Sequence, residues 1–200
     1  MTAHQLWEDY RSQLCQALRE IGGDGFTAVV DLLRAARQRG ATIFLCGNGG
    51  SAATASHFAS DLSKGANTPG HPPLRAISLT DNIPSLTAWA NDTDYSKVFV
   101  EQLRTLSRPG DVLVAISGSG NSPNILAAAR WARAHSLSVV GLLGNAQARL
   151  RPLTDLELVV PAPSIEQAED ARLVLEHAIC TAIRALDRAE PALLSEEAAG

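Results

Sequence analysis

The chain has 200 residues, of which 46% are hydrophobic and 19% are charged, and its formal net charge is −4 at pH 7. This length suits one domain with a core of its own. The mildly acidic balance and the lack of a basic stripe indicate no nucleic-acid partner. No apolar run reaches the roughly 18 residues of a membrane span, and the N-terminal stretch does not have the pattern of a signal peptide. We therefore expect a cytoplasmic protein with no membrane association.

Two amphipathic helices are predicted ahead of any strand. Apolar residues recur at helical spacing over residues 4–21 and again over residues 25–39, and each stretch ends at glycine. These stretches predict an N-terminal helical hairpin within residues 1–40. The hairpin carries enough apolar surface to pack on another subunit as well as on its own domain.

From residue 41 onward, short apolar runs alternate with longer helical stretches. The runs that we predict to be buried strands are 41–46, 74–79, 111–117, 136–144 and 155–161, and the last helix is predicted from about 164 to 187. Buried strands that alternate with helices indicate βαβ units with right-handed crossovers. The predicted fold is α/β, a three-layer αβα arrangement around a doubly wound, parallel, five-stranded sheet. Residues 1–200 then form a single domain, with the α/β core in 41–190 and a frayed tail at 191–200.

Two turns rich in serine and glycine follow predicted strands and precede predicted helices, GNGGS at 47–51 and SGSGNS at 117–122. In such a sheet, ligands bind beyond the carboxyl ends of the strands. Serine hydroxyls and the free N–H groups of a helix N-terminus suit a phosphate monoester, whereas ordinary tight turns with helix caps are the alternative. Neither turn has the pattern of a Walker loop or of GxGxxG, which weakens a nucleotide interpretation. The residues that we predict to contact the phosphate are Asn48, Gly49, Ser51, Ser117, Gly118, Ser119 and Ser122.

The second turn and the alanine-rich helix after it resemble the phosphate loop of the sugar isomerase (SIS) domain family. The stretch CGNGGSAATASHFASDL resembles the corresponding segment of the phosphoheptose isomerase branch, and AWANDTDY (88–95) extends the likeness over nearly the whole chain. The resemblance implies the SIS fold and an aldose–ketose isomerase that converts sedoheptulose 7-phosphate to a heptose 7-phosphate through an enediol. It also implies a homotetramer whose active sites lie between subunits.

The candidate catalytic residues lie on two predicted helices. His57 and Asp61 are four residues apart and so share one helix face, while the last helix carries Glu169 and His177. By resemblance, Asp61 stands where the family has its catalytic glutamate base, and His177 stands where it has its histidine acid. His57 and Glu169 complete, with these two, a set that binds zinc in some relatives, and Glu169 occupies a position where glutamine is usual.

Other acidic residues are candidates for substrate contact. By resemblance, Asp92 matches a residue that contacts a substrate hydroxyl, and we include Glu166 and Glu169 in the substrate-binding set. Exposed carboxylates on a solvated helix face are the alternative for Glu166 and Asp170.

The chain departs from the family pattern at three points. Asp61 is one methylene shorter than glutamate, Glu169 adds a negative charge, and Lys64–Gly65 replaces a Gly-Arg pair, so the family's cation has no assigned equivalent. Eight helical residues separate Glu169 from His177, a rise of about 12 Å. Both can bind one metal ion only if the helix begins irregularly near 169 or if two chains share the site, and Asp170 is the rival ligand.

Three functions remain open from the sequence. The first is the phosphoheptose isomerase, assisted by zinc. The second is a non-catalytic SIS-domain regulator that binds a sugar phosphate or a replication-initiator protein. The third is an isomerase of another phosphosugar, such as a hexose phosphate.

Overall fold

Five short apolar strands form one parallel sheet in the computed structural model of this chain, which describes residues 1–190. They are β1 (Thr42–Cys46), β2 (Arg75–Ser78), β3 (Val112–Ser117), β4 (Ser138–Leu143) and β5 (Leu156–Val159), in the order β2-β1-β3-β4-β5. All four pairings between neighbouring strands are parallel. Each strand lies within two residues of its predicted bounds, so the predicted α/β sheet is confirmed. The predicted burial of β2 is wrong, because this strand lies at the edge of the sheet and only Ser78 of it is buried.

Within residues 1–190, seven α-helices surround the sheet. They are α1 (Ala3–Arg19), α2 (Gly23–Gln38), α3 (Gly50–Ser60), α4 (Ile83–Asp92), α5 (Val100–Leu106), α6 (Pro123–Ala134) and α7 (Ile165–Ala189). A π-helical turn, Asp61–Gly65, continues directly from α3, and 3₁₀ turns occupy Tyr95–Lys97 and Arg151–Leu153.

The helices cover both faces of the sheet because each face buries its own apolar cluster. One cluster joins α2, α3 and α7 through residues such as Leu33, Phe58 and Ile179, all of them fully buried. The other joins α5 and α6 to the opposite face through Leu103 and Ile125. These two cores give the predicted three-layer arrangement.

The predicted N-terminal hairpin is present as α1 and α2. Helix α2 packs on the sheet and on α7, where Arg37 forms a buried ion pair with Asp187. Helix α1 lies along α7 but leaves Leu6 and Trp7 54% and 57% exposed. The hairpin therefore has apolar surface that residues 1–190 do not cover. The predicted frayed tail at 191–200 lies outside the described residues.

The strand order places both serine- and glycine-rich turns side by side. The chain winds from β1 to β2 on one side and from β3 to β4 and β5 on the other, so the switch point lies between β1 and β3. Ligands of open α/β sheets bind beyond the carboxyl ends of the strands at such a point. The two turns follow these two adjacent strands and flank that crevice.

Candidate functional site

The first turn brings the backbone tightly around the start of α3. Gly49 has a φ of 57°, in the left-handed region, and is the N-cap of α3 without a side-chain cap. A Cβ at Gly47 would lie 2.3 Å from the carbonyl oxygen of Ser51, so a side chain cannot fit there. Glycine is required at both positions, and the N-terminus of α3 is left without an oxygen cap from its own turn.

The second turn is held by its own serine hydroxyls. Ser117 Oγ accepts a hydrogen bond from the Gly120 N–H at 3.0 Å, and Ser119 Oγ accepts one from the Asn121 N–H at 3.2 Å. Ser122 is the N-cap of α6 but makes no side-chain cap bond, so its hydroxyl is open to a ligand. Pro123 has no N–H, and the Ile125 N–H donates to Asn124 Oδ1 at 3.0 Å, so the Asn124 N–H is the donor in this first turn that is left for an anion.

Amide side chains join the two turns. Asn48 and Asn124 exchange two hydrogen bonds, of 3.0 and 2.8 Å, between the first turn and α6. The Tyr95 hydroxyl donates to Asn48 Oδ1 at 3.1 Å. Asn48 therefore fixes the relative position of the turns as well as lining the cavity between them.

A cavity of about 460 Å³ lies between the turns and the start of α7. This volume is in the range of small-molecule sites. Its polar lining includes Asn48, Ser51, Ser119, Ser164, Glu169 and Arg172. Several of the residues predicted to contact phosphate thus face one common space.

The cavity contains a cation, Arg172, for which the sequence predicted no role. Its side chain is 2% exposed and lines the same cavity as Ser51 and Ser119. The signal was present in the sequence, because Ala168, Ala171, Arg172, Leu175, Glu176 and Ile179 recur at the spacing of one helix face, and all are buried. Two charged residues within an apolar helical stripe indicate groups held for a purpose other than packing.

His57, Asp61 and His177 converge on one point about two helical turns beyond the first glycine-rich turn. The two Nε2 atoms lie 3.3 Å apart, and Asp61 Oδ2 lies 3.7 Å from Nε2 of His57 and 3.5 Å from Nε2 of His177. Asp61 begins the π-helical turn, in which the Ala66 N–H bonds to the Asp61 carbonyl at 2.7 Å. Single π-helical turns of this kind are frequent at functional sites.

These three side chains fit a divalent metal such as zinc. Imidazole nitrogens and carboxylate oxygens are its usual ligands, and two ligands at about 2.1 Å from a tetrahedral ion lie about 3.4 Å apart. The three observed separations, from 3.3 to 3.7 Å, agree with that spacing. Three protein ligands and one open position are the usual composition of a catalytic zinc site.

A buried carboxylate stands behind His57. Glu176 is 0% exposed, its Oε1 lies 3.6 Å from His57 Nδ1, and neither of its oxygens has a hydrogen-bond partner among the described residues. Burial, together with the charge of Asp61, raises the pKa of Glu176 to about 8. At this distance the carboxyl group lies beside the imidazole without a hydrogen bond to it, while His57 Nε2 faces His177.

The structure places Glu169 apart from this group. Helix α7 is regular from Ile165, with Ser164 as its N-cap, so an irregular start near 169 is excluded. The Glu169 carboxylate instead lies against the N-terminus of α3, where a Cβ at Gly50 would be only 2.0 Å from its Oε1. Within one chain, the group of described residues that could hold a metal ion is His57, Asp61 and His177, without Glu169.

The remaining acidic candidates have local partners. Asp170, the rival ligand, accepts a 2.5 Å hydrogen bond from the Tyr10 hydroxyl of α1. Asp92 ends α4, is exposed, and accepts from the Asn91 amide at 2.8 Å. Glu166 is exposed in the first turn of α7, where its own N–H and the Ser164 hydroxyl lower its pKa. None of the three lines the cavity between the turns.

Residues 7–144 match the SIS domain family, which is more than half of the chain. The chain belongs to the SIS domain family. Its curated relatives place it in the phosphoheptose isomerase branch, because it is 41% identical over 160 residues to the phosphoheptose isomerase of Azoarcus sp. (strain BH72), a span of 78% of this chain and 81% of the relative. The phosphoheptose isomerase of Mycobacterium tuberculosis (strain CDC 1551 / Oshkosh) is 43% identical over 157 residues, 76% of this chain and 77% of that protein.

Solved structures agree with this SIS-domain assignment. The phosphoheptose isomerase GmhA of Neisseria gonorrhoeae superposes with a TM-score of 0.84 at 31% identity, over 92% of this chain and 100% of that one. A phosphoheptose isomerase of Francisella tularensis superposes with a TM-score of 0.83 at 28% identity, over 92% and 98% of the two chains. The resemblance to the phosphoheptose isomerase branch of the SIS domain family, predicted from the sequence, is confirmed. Among the described residues, no helix combines the length and the hydropathy that a membrane crossing requires.

Proposed function

We propose that this protein is a phosphoheptose isomerase, which interconverts sedoheptulose 7-phosphate and a heptose 7-phosphate. The observation that carries the proposal is the convergence of His57, Asp61 and His177 on the same face of the sheet as the serine-lined cavity. The curated relatives at 41–44% identity bear the same name over about three quarters of the chain. A regulator that had lost its catalytic groups would not need this arrangement.

The phosphate end of the substrate belongs in the cavity between the two turns. Ser119 lines this cavity and offers a hydroxyl. Ser122 is not among the lining residues, but it carries a hydroxyl at the N-terminus of α6, three residues along the same turn, where the helix dipole favours an anion. Ser51 lines the other side. Ser117 contributes indirectly, because its hydroxyl oxygen accepts a hydrogen bond from the Gly120 N–H and so stabilises the turn.

The sugar end belongs at the group formed by His57, Asp61 and His177. From Ser51 to His57 the rise along α3 is about 9 Å, and from Arg172 to His177 along α7 it is about 7.5 Å. With carbon–carbon bonds of about 1.5 Å, an extended chain of six or seven carbons spans a similar length. One phosphosugar can therefore occupy the cavity and still present its first two carbons to these side chains.

The reaction moves one proton between neighbouring carbons. Asp61 removes the proton from C1 of the ketose and returns it to C2, while His177 donates a proton to the C2 oxygen and accepts the proton of the C1 hydroxyl. The enediol intermediate is thus formed and consumed without free charge building up on either oxygen. Asp61 is half-buried and carries a shorter side chain than glutamate, so the π-helical turn that begins there sets its reach.

Zinc is the metal that the ligand set fits. His57, Asp61 and His177 would hold it, and when bound it would polarise the substrate carbonyl and offset the charge of nearby carboxylates. Glu169 joins this set only in an assembly in which another subunit supplies it. Glu176 lies 3.6 Å from Nδ1 of His57, on the side of the ring away from the group, and Nε2 faces the group.

A homotetramer is the assembly that we propose. The exposed apolar residues Leu6 and Trp7 on α1 give the hairpin a face that a second copy can cover. The active protein would be cytoplasmic, because a phosphorylated sugar carries charge that keeps it inside the cell.

Proton NMR of the purified protein with sedoheptulose 7-phosphate in heavy water tests the proposal. We expect deuterium to enter the sugar together with a new aldose signal, and both to disappear with chelator and return with zinc. No exchange in either condition would exclude this substrate. Exchange with a hexose phosphate instead would identify the other isomerase, and phosphosugar binding without any exchange would identify the regulator.

A further inference from the structure

Arg172 is a buried cation without a buried counter-charge. Its guanidinium is 2% exposed, its Nη1 lies 3.5 Å from Ser51 Oγ, and its Nε has no hydrogen-bond partner in the described part of the chain. Within residues 1–190, no carboxylate lies within 4.0 Å of it. Burial lowers its pKa, and the charge of Glu169 opposes that effect without forming a contact ion pair.

Arg37 provides the internal comparison. It is equally buried, at 1% exposure, but both its terminal nitrogens bond to the Asp187 carboxylate, with Nη2 at 2.6 Å from Oδ1. A buried guanidinium is stable when a carboxylate pairs with it in this way. Arg172 has a similar desolvation cost and no such partner. This indicates that an anion from outside the chain pairs with its guanidinium.

The surroundings of Arg172 are shaped for a small oxyanion. Its Nη2 lies near the backbone of both Gly118 and Gly144, since a Cβ at either glycine would be 3.1 or 3.2 Å away. The hydroxyls of Ser51 and Ser119 line the same cavity of about 460 Å³. Hydroxyl donors on either side of a planar guanidinium fork are the arrangement that binds phosphate in a bidentate way.

We propose that Arg172 is the cation that binds and neutralises the phosphate of the substrate. The proposal rests on the phosphosugar isomerase function for the identity of the ligand, but not for the existence of the anion site. Arg172 makes the site selective for a doubly charged phosphate over the free sugar, because an empty site leaves the guanidinium unpaired. The serine hydroxyls and the N-terminus of α6 then orient the phosphate rather than supply its charge.

Calorimetric titration of the full chain tests this assignment with inorganic phosphate, sedoheptulose 7-phosphate and unphosphorylated sedoheptulose. Arg172→Gln should weaken the binding of both phosphate ligands by about 10- to 100-fold, as expected for the loss of hydrogen bonds to a charged group. Arg172→Lys should lie between this variant and the wild type, because it keeps the charge but not the fork. The control is Arg188→Gln, an exposed arginine near the end of the same helix, which should bind phosphate as the wild type does.

Unchanged phosphate affinity in a folded Arg172→Gln protein would overturn the assignment. If that variant does not fold, a crystal structure of the wild type with inorganic phosphate decides the matter. A phosphate oxygen within hydrogen-bond distance of the Arg172 guanidinium supports the proposal, and a phosphate bound without it refutes the proposal. Phosphate binding that depends on Arg172 in a protein that exchanges no deuterium into the sugar would retain this site and reject the isomerase.

Discussion

The Glu176 carboxylate lies 3.6 Å from Nδ1 of His57, with Asp61 on the other side of the imidazole, 3.7 Å from its Nε2. A carboxyl group therefore flanks each nitrogen of one half-exposed histidine. The inner one is fully buried, and both burial and the charge of the outer one raise its pKa to about 8. His57 is thus held between an acid that keeps its proton at neutral pH and a carboxylate open to the substrate.

This relationship predicts a pH dependence of stability in metal-free protein. Between the ordinary value of 4.5 and about 8, folded Glu176 retains a proton that the unfolded chain has released. Its contribution to the free energy of unfolding is complete below pH 4.5 and is lost as the pH rises through about 8. Glu176→Gln has no such proton, so it should match the wild type near pH 4.5 and exceed it by on the order of 3 kcal/mol above pH 8.

Urea unfolding followed by circular dichroism from pH 5 to pH 9, in the presence of chelator, measures this difference. Glu20→Gln is the control, because Glu20 lies at the exposed end of α1. Parallel pH profiles for Glu176→Gln and the wild type would show that the buried carboxyl has no such effect.

The exchange of protons with the sugar is predicted to depend on His177. His177→Ala should lower turnover of sedoheptulose 7-phosphate by about 100-fold or more, since it removes the group assigned as general acid. Inorganic phosphate should bind with nearly wild-type affinity, because His177 is about 7.5 Å of helix rise from Arg172. Steady-state kinetics and phosphate titration together separate the two effects.

His4→Ala is the matched control for His177→Ala, because His4 is exposed on α1. Turnover that survives in His177→Ala would show that another group donates the proton.

Phosphate binding is predicted to depend on the hydroxyls of the second turn. The double change Ser119→Ala and Ser122→Ala should weaken phosphosugar binding by about 10-fold or more, since each hydroxyl donates to a charged oxygen. The thermal unfolding midpoint without ligand should change little, because neither hydroxyl is buried in the core. Calorimetric titration measures the affinity, with Ser12→Ala on α1 as the control. An affinity equal to that of the wild type would place the phosphate elsewhere.

Gly120 is predicted to be required by the conformation of the second turn. It has a φ of 62°, and a Cβ there would lie 2.2 Å from the Cβ of Ala148. Gly120→Ala should lower the free energy of unfolding by about 2 kcal/mol or more, through strain and steric overlap. It should also weaken phosphate binding, because the turn that presents Ser119 must move.

Gly22→Ala is the control for this substitution. Gly22 has a φ of −68°, and a Cβ there has no atom within 4 Å. Chemical unfolding of the two variants under the same conditions gives their free energies of unfolding. Only Gly120→Ala should show a large decrease, because only that turn requires glycine. Equal stabilities would contradict the strain argument.

The amino-acid sequence by itself determined the sheet, the helical hairpin and the two turns. Each of these depends on local pattern: buried strands appear as short apolar runs, helices as a 3.6-residue period, and the turns as glycines where a side chain has no room. The pairing of His57 with Asp61 was equally predictable, because residues four apart share a helix face.

Only the tertiary structure decided what meets across helices. His57 and His177 are 120 residues apart, and their 3.3 Å contact depends on how α3 and α7 pack on the sheet. Glu169 and His177 were predicted to share one metal ion either through an irregular start of α7 or across two chains. A regular α7 excludes the first route and places the Glu169 carboxylate against Gly50, where the missing side chain leaves room for it. Arg172 and Glu176 carry no motif, and their roles follow from burial, which depends on the whole packed chain. The helical periodicity of the sequence shows which residues of α7 face the interior. Which group a buried charged side chain contacts depends on how elements that are far apart in the chain pack together.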